Sequence, residues 1–379
     1  MMRNSGPLED WQNIDLLIVG AGPVGCVVAE RAATRKGWNS LIIDKRKHIA
    51  GNCYDDHHES GVLIHRYGPH YFRTNQKAIY DYLSQFTSWI DGNYIVKSCY
   101  RGELYPFPIN LTTLEKFFNR RLTPATAACL IDSLRDKNIH EPKNSEELVL
   151  SRVGRELYEA FYLNYTKKQW DRHPRDLDPT VCGRVPIRLN HNQHYVDHQY
   201  RVMPKDGFTK MFARMVSHPK IRIRLGTDFE TLRGKLQPRI ATLYTGPIDS
   251  YFDFCFGRLP WRSLEFEFKS LHREFVQPCV QINYPNEHAF TRSAEIKHIT
   301  QQKIGSTVVS YEYPRSQGDP FYPVPAAENK MLYKKYEDLA RQEQNHRKVY
   351  FAGRLARYTY INTDEAVQMA LETFHEIAG

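Results

Sequence analysis

The sequence predicts an α/β fold, with an inserted helical bundle and a mostly antiparallel sheet. Three observations in the 379-residue chain predict it. Near the start, an apolar run passes through closely spaced glycines into a helical pattern. From Gln76 to about Trp170, apolar residues recur every three or four positions. From about Arg184 the period changes to two.

The first element is Leu16 to Val19, a continuous apolar run of the kind found in a parallel strand buried on both faces. Gly20, Gly22 and Gly25 then fit G-x-G-x-x-G. The first two let the backbone turn and approach a pyrophosphate, and the third lets helix and strand pack closely. Pro23 suits the first helical turn, where its missing N–H costs nothing. Val24, Val27 and Val28 recur at helical spacing. A second apolar run, "SLIID", ends in Asp44, where a ribose-binding acid belongs. Strand, glycines, helix, second strand and terminal acid together predict a Rossmann-like dinucleotide site; the competing reading is a glycine turn with no ligand.

The basic, glycine-containing continuation "DKRKHIAGNCYDD", with Lys45, Arg46, Gly51 and Asn52, favours FAD over NAD. The end of the chain supports this. "KVYFAGRLARYTYINTDEAVQMALETFHEI" reads as a strand, Gly353-Arg354, a loop and a helix. Asn362 and Glu365 form a capping-box pattern before the stripe Val367, Ala370, Leu371 and Phe374. Such a helix presents free N–H groups and a positive dipole end to an anionic ligand.

In the middle, "NQKAIYDYLSQF", "TTLEKFFNRR", "TPATAACLIDSLRD" and "SEELVLSRVGRELYEAFYLNY" read as helices, with starts at Thr123-Pro124 and Ser145. "NYIVKSCYRGELYPFPIN" reads as a hairpin between the first two. "RVPIRL", "IRIRLG", "ATLYTG", "YFDFCF", "SLEFEFKS", "CVQINYP" and "TVVSYEYP" read as short strands, most of them antiparallel. The expected organisation is an FAD-binding unit over 1–75, completed by about 205–250 and 341–379. A helical bundle with a mobile substrate loop spans 76–175, and 176–204 with 251–340 forms the sheet domain.

Composition narrows the function. Hydrophobic residues make up 41% and charged residues 25%, ordinary values for a folded soluble chain. No apolar run is long enough for a membrane span, and "MMRNSGPLEDWQN" lacks the pattern of a signal peptide. The seven cysteines are scattered with no C-x-x-C pair, which argues against a disulfide framework or a structural zinc site and for a reducing cytoplasm. The net charge of +9 is spread without dense basic blocks, and no nucleic-acid-binding module is recognisable. One segment stands out: "FYLNYTKKQWDRHP" mixes four large rings with several cations. That combination suits a flat aromatic ligand with an anionic tail, such as a nucleotide.

With "IAGNCYDD", "HRYGPHYFRTN", "PFPIN", "YTKKQW", "RVPIRLNHNQHY", "GPIDSYFD", "TRSAEIKH", "FYP" and "GRLARYTYIN", almost the whole chain resembles the flavin-dependent UDP-galactopyranose mutases of bacterial type. The resemblance implies an FAD domain, a helical bundle with a mobile loop, a mostly antiparallel sheet, and a cytoplasmic homodimer. It implies ring contraction of a nucleotide-linked hexopyranose without net redox change, supplying galactofuranose for cell-surface polysaccharide. Reduced flavin N5 attacks the anomeric carbon as the nucleoside diphosphate leaves. Phe161, Tyr162 and Tyr165 are then expected to line the uracil site, with Thr166 nearby and Trp170 close to the nucleotide sugar. Arg184 and Arg292 match the two diphosphate arginines, one on the mobile loop, since guanidinium forks suit phosphate. Tyr195, Tyr322 and Tyr360 match phosphate-contacting tyrosines, and His70 is expected beside the flavin.

Two positions depart from the family pattern. Arg73 stands where G-P-H-x-F-H-T has its second histidine, and Asn362 stands where an Asp usually follows the tyrosine. Both fall by resemblance near the sugar, so the preferred sugar is expected to differ from plain UDP-galactopyranose. Two other readings share the N-terminal fingerprint: an FAD-dependent amine oxidase or hydroxylase, and a flavin-free relative of the GDP-dissociation-inhibitor type.

Overall fold

The computed structural model describes residues 13–379; the N-terminal stretch read above for a signal peptide lies, but for Asn13, outside the described residues. Five parallel strands form one sheet in the order Ile221–Leu225, Ser40–Asp44, Leu16–Val19, Ala241–Tyr244, Val349–Phe351. Leu16 pairs with Ser40 on one side and with Ala241 on the other. Every residue of Leu16–Val19 is buried, because both faces of the sheet are covered. One face receives the helices Pro23–Arg31 and Thr363–Ala378, through Val24, Val27, Val28, Val367, Ala370 and Phe374. The other receives Tyr336 and Ala340 of the long helix Ala327–Arg347.

The second sheet has seven strands, ordered Tyr322–Pro323, Trp261–Leu271, Thr307–Arg315, Arg292–Ala294, Gln281–Asn283, Val96–Tyr100, Glu103–Phe107. Its pairings are antiparallel except for that of Gln281–Asn283 with Val96–Tyr100. The hairpin read between the bundle helices therefore forms, but its strands extend this sheet. A three-stranded sheet joins Phe72–Thr74 and Trp89–Asp91 to the central Tyr200–Pro204.

Between them lie the helices Leu111–Phe117, Pro124–Leu134, Ser145–Tyr158 and Asn164–Trp170. Asn110, Thr123 and Asn144 each accept a backbone N–H of the first turn. The cap of the third helix is thus Asn144, and Ser145 is its first helical residue. Gly154 breaks that helix at φ +79°, where a Cβ would sit 2.2 Å from the Leu134 carbonyl oxygen, so the close approach of the two helices requires glycine.

Two expected strands are absent. "RVPIRL" follows the short helix Thr180–Gly183 as irregular chain, docked by Arg188 N–H on the Ile109 carbonyl and Leu111 N–H on the Asn190 carbonyl. "YFDFCF" is a series of turns with Asp253 and Phe254 at positive φ. The buried Asp249 carboxylate accepts the N–H of Ser250 and Leu259 and stabilises those turns, so alternating aromatics do not become a strand. "IRIRLG" and "ATLYTG" are strands, but both run parallel in the first sheet. Among the described residues, no helix is long and apolar enough to cross a membrane.

Candidate functional site

One cavity of about 830 Å³ runs from the carboxyl ends of the parallel strands to the second sheet. At its first end, Gly20 adopts φ +112°, and a Cβ there would meet Thr245 Oγ1 at 1.9 Å. Gly22 and Gly51 also line the cavity, with Gly51 Cα 3.8 Å from where a Gly22 Cβ would be. Gly25 lies beneath, where a Cβ would fall 2.0 Å from the Gly20 carbonyl oxygen. These glycines bare the backbone at the N-terminus of Pro23–Arg31. Asp44 closes the adjoining strand; its carboxylate accepts Ala21 N–H and Arg46 N–H, each at 2.8 Å.

Arg46 donates to Asn52 Oδ1 at 2.8 Å and lies 4.3 Å from the Tyr67 ring centre. Lys45 and Arg46 both pair with Asp319, at 3.4 and 3.1 Å. From the other side, Arg354 donates to the carbonyls of Phe321 and Ile361 at 3.1 and 2.6 Å, just before the helix Thr363–Ala378. Asn362 N–H donates to Glu365 Oε2 at 2.7 Å, the backbone half of the cap expected there. A glycine cradle, a helix N-terminus and a terminal acid fit a dinucleotide such as FAD.

The second end is cationic and aromatic. Arg184 stacks 3.9 Å from the Tyr360 ring centre, and Arg354 lies 5.0 Å from the same ring. Tyr322 stacks on Tyr360 at 5.5 Å and accepts from Arg292 at 3.2 Å. The Arg292 Nε is 2.7 Å from the fully buried Glu312 carboxylate. Burial opposes the Arg292 charge, but Glu312, Tyr165 and Tyr322 outweigh it and hold the guanidinium protonated. Arg73 donates to Asn362 Oδ1 at 2.9 Å and to Tyr71 Oη at 3.1 Å. The two departures from the family pattern therefore touch each other. Among the described residues, no carboxylate lies within ion-pair distance of Arg73, Arg184 or Arg354. These three lining cations, without a carboxylate partner, suit an anionic ligand.

Burial pushes the Tyr322 phenol up to about 12 and raises that of Tyr195, so both are hydroxyl donors at neutral pH. His70, also in the lining, is pushed down to about 3 by burial, reinforced by His65 and by Arg354 and Arg292.

The aromatic segment divides. Phe161 is core, packed on Tyr100, Tyr105 and Phe117, and Tyr162 packs on Phe107. Thr166 is buried beside Cys182 Sγ at 3.7 Å. None of the three lines the cavity, because their side chains close the bundle against the hairpin. Tyr165 and Trp170 are also outside the lining but back onto it, Tyr165 near Arg292 and Trp170 at 6.2 Å from Tyr322. Two cations of the segment are spent internally: Lys168 donates to the carbonyls of Tyr284, His288 and Phe290, and Arg172 pairs with Glu328.

The remaining expected residues, Gly20, Gly22, Asp44, Lys45, Arg46, Gly51, Asn52, His70, Arg73, Arg184, Tyr195, Arg292, Tyr322, Arg354, Tyr360 and Asn362, share this one cavity. Sequence reading missed Tyr94, whose hydroxyl donates to Gln281 at 2.6 Å, and Gln281 itself; both line the cavity. It also missed Glu312 and Asp319. Only the alternation of "TVVSYEYP", which puts an acid on the buried face, hinted at Glu312.

Comparison with known proteins agrees with this geometry. A family profile described as UDP-galactopyranose mutase matches residues 160–360. A Klebsiella pneumoniae protein named as a probable UDP-galactopyranose mutase is 35% identical over 96% of this chain and 94% of its own. The chain belongs to the UDP-galactopyranose mutase family. A dTDP-fucopyranose mutase of Escherichia coli is 33% identical, over 94% of this chain and 96% of its own. A crystal structure of reduced UDP-galactopyranose mutase superposes with a TM-score of 0.74, at 17% identity, covering 97% of this chain and 96% of that one. A redesigned putrescine oxidase shares the fold at a TM-score of 0.53 and 14% identity, covering 96% and 98%. A profile for an NAD(P)-binding Rossmann-like domain matches residues 18–86. Membership in the UDP-galactopyranose mutase family makes the chain an isomerase and implies a flavin cofactor.

Proposed function

We propose that this protein interconverts the pyranose and furanose forms of a nucleotide-linked hexose, UDP-galactopyranose or a close relative, with reduced FAD as the working cofactor. The observation that carries the proposal is the single cavity joining the dinucleotide cradle to the Arg184, Arg292, Tyr322 and Tyr360 cluster. Bound reduced flavin supplies a nucleophilic nitrogen, N5, for the anomeric carbon. Gly20, Gly22, Gly51 and the helix start at Pro23 would hold the cofactor pyrophosphate, with Asp44 on the ribose. Arg184 and Arg292 would hold the diphosphate as it leaves and returns, aided by the hydroxyls of Tyr195, Tyr322 and Tyr360. Tyr165 and Trp170 would reach the nucleotide only by moving from their places behind the lining, so the base site includes a shift of the segment that carries them. Work in the cytoplasm as a homodimer, and a furanose product destined for cell-surface polysaccharide, complete the proposal.

The test is turnover in two redox states. Dithionite-reduced protein should interconvert the two ring forms of a nucleotide sugar, separated by chromatography, and oxidised protein should be nearly inert. Equal turnover in both states would overturn the N5 chemistry. Sugar choice is placed at the Arg73–Asn362 contact, where an always-charged fork replaces an imidazole. In competition, the reduced protein should prefer a 6-deoxy or N-acetyl sugar nucleotide over UDP-galactopyranose, and Arg73→His should shift that ranking. If UDP-galactopyranose has the highest kcat/KM and the variant keeps the order, the placement is wrong.

A further inference from the structure

The ring of His70 has a defined proton arrangement. Its Nδ1 lies 2.8 Å from the Gly68 carbonyl oxygen. A carbonyl only accepts, so Nδ1 carries the hydrogen and Nε2 is the free acceptor of the neutral ring. Behind it, His65 is buried and does not line the cavity. The backbone N–H of His70 donates to His65 Nδ1 at 2.9 Å. That nitrogen is therefore bare, and the hydrogen of the His65 ring sits on Nε2.

This Nε2 is buried without a hydrogen-bond partner, 4.0 Å from Asp55 Oδ2. Asp55 is itself held in place: its carboxylate accepts the N–H of Phe208 and Thr209, at 2.6 and 2.9 Å, where the helix Phe208–Met215 begins. Gly207, at φ +89°, permits that approach, since a Cβ there would fall 2.6 Å from Asp55 Oδ2. An apolar side chain at position 65 would fill the same space without stranding an N–H. The imidazole is kept at a cost in stability, and what it provides is the acceptor at Nδ1.

We propose that His65 is a positioning residue that fixes the tautomer and orientation of His70, so that the cavity meets Nε2 as a fixed neutral acceptor. Held at its amide, the Gly68–His70 turn keeps the Gly68 carbonyl on Nδ1–H. The Nε2 lone pair is then aimed at a hydroxyl or N–H of whatever occupies the cavity. This rests on the function proposed above, but its test reads the ring directly.

Two conservative variants separate positioning from packing. His65→Asn keeps an acceptor oxygen near the place of Nδ1, whereas His65→Gln reaches toward the place of Nε2 and leaves the His70 amide without its acceptor. The full-length protein with its cofactor, labelled with 15N-histidine, reports the His70 ring nitrogens, assigned by their loss in His70→Gln. The native protein and His65→Asn should show the single Nδ1–H tautomer at neutral pH, and His65→Gln a mixture. In turnover, His65→Gln should lose about tenfold or more in kcat at unchanged KM, while His65→Asn stays within a few-fold. Equal tautomers and equal kcat in the two variants would overturn the proposal. So would a loss of kcat in His65→Gln with the His70 tautomer intact. A protein inert toward every nucleotide sugar yet showing the tautomer split would sink the proposed function and leave the positioning role of His65 standing.

Discussion

Arg184 and Arg292 meet the tyrosine pair in different ways, and their removal should be told apart. Arg184 stacks on Tyr360 and has no ion-pair partner among the described residues. Arg184→Ala should lower kcat/KM by roughly 1.5–3 kcal/mol, the worth of a charged hydrogen-bond partner, and leave the melting temperature near native. Arg292 neutralises a fully buried carboxylate. Arg292→Ala should cost the same activity and also destabilise the fold by about 3–5 kcal/mol, because Glu312 is left buried and unpaired. Thermal melts beside kinetics separate the two; a native melting temperature in Arg292→Ala would contradict the ion pair. Acid stability is also set by single residues. Burial pushes His65 and His70 down to about 3. Below the ordinary histidine pKa of about 6.5, the unfolded chain binds these protons and the folded chain does not. Stability should therefore fall as pH drops from about 6.5 toward 3, by about 1.4 kcal/mol per pH unit for the buried His65 ring and by less for His70, which lines the cavity. Asp55, whose carboxyl burial holds above its usual range, opposes this at the acid end. Urea unfolding at stepped pH should show a shallower slope in His65→Asn; an unchanged slope would mean that His65 does not titrate on unfolding.

At the scale of elements, the fit of the first helix on the first strand rests on Gly25. A Cβ there meets the Gly20 carbonyl oxygen at 2.0 Å and Ile18 Cγ2 at 3.0 Å, and backbone cannot step aside as a flexible side chain can. Gly25→Ala should lift the helix from the sheet, cost roughly 1–3 kcal/mol of stability, and abolish retention of FAD through purification. The flavin-to-protein absorbance ratio checks this, and a native ratio would show that the cradle tolerates the shift. The elements also show why period alone misleads. "YFDFCF" alternates as a strand does, yet the Asp249 carboxylate competes for the backbone and turns it. "FYLNYTKKQW" reads as one ligand segment because rings and cations share it, but the fold divides it: Phe161 and Tyr162 are core, Lys168 donates to three carbonyls, and Tyr165 and Trp170 stand behind the cavity lining.

Across the whole molecule, the loop before Tyr322 ties the second sheet to the cofactor segment through Asp319, Lys45 and Arg46. Lys45 and Asp319 are 58% and 46% exposed, and exposed pairs contribute about 0–1 kcal/mol. Asp319→Asn should therefore weaken FAD binding less than about fivefold, far less than Gly25→Ala. Fluorescence titration of the FAD-stripped protein reads the difference; a larger loss would make this loop a principal clamp. The same tie, with the shared cavity, lets substrate-side and cofactor-side residues form one site although Lys45 and Asp319 are 274 positions apart in sequence.

The cofactor end was legible in the sequence because it is local: turn, helix start and acid lie within one strand–helix–strand unit, where spacing in sequence is spacing in space. The cations and tyrosines of the substrate end were legible only through resemblance, since nothing local links Arg184, Arg292 and Tyr360. Tertiary structure alone decided which of these side chains meet. It buried Phe161, Tyr162 and Thr166, put Glu312 behind Arg292, brought Arg73 onto Asn362, and set His65 and Asp55 behind His70. Each of those contacts joins separate segments, and which partner satisfies a buried charge or N–H depends on how the sheets and helices pack, a property that no window of sequence contains.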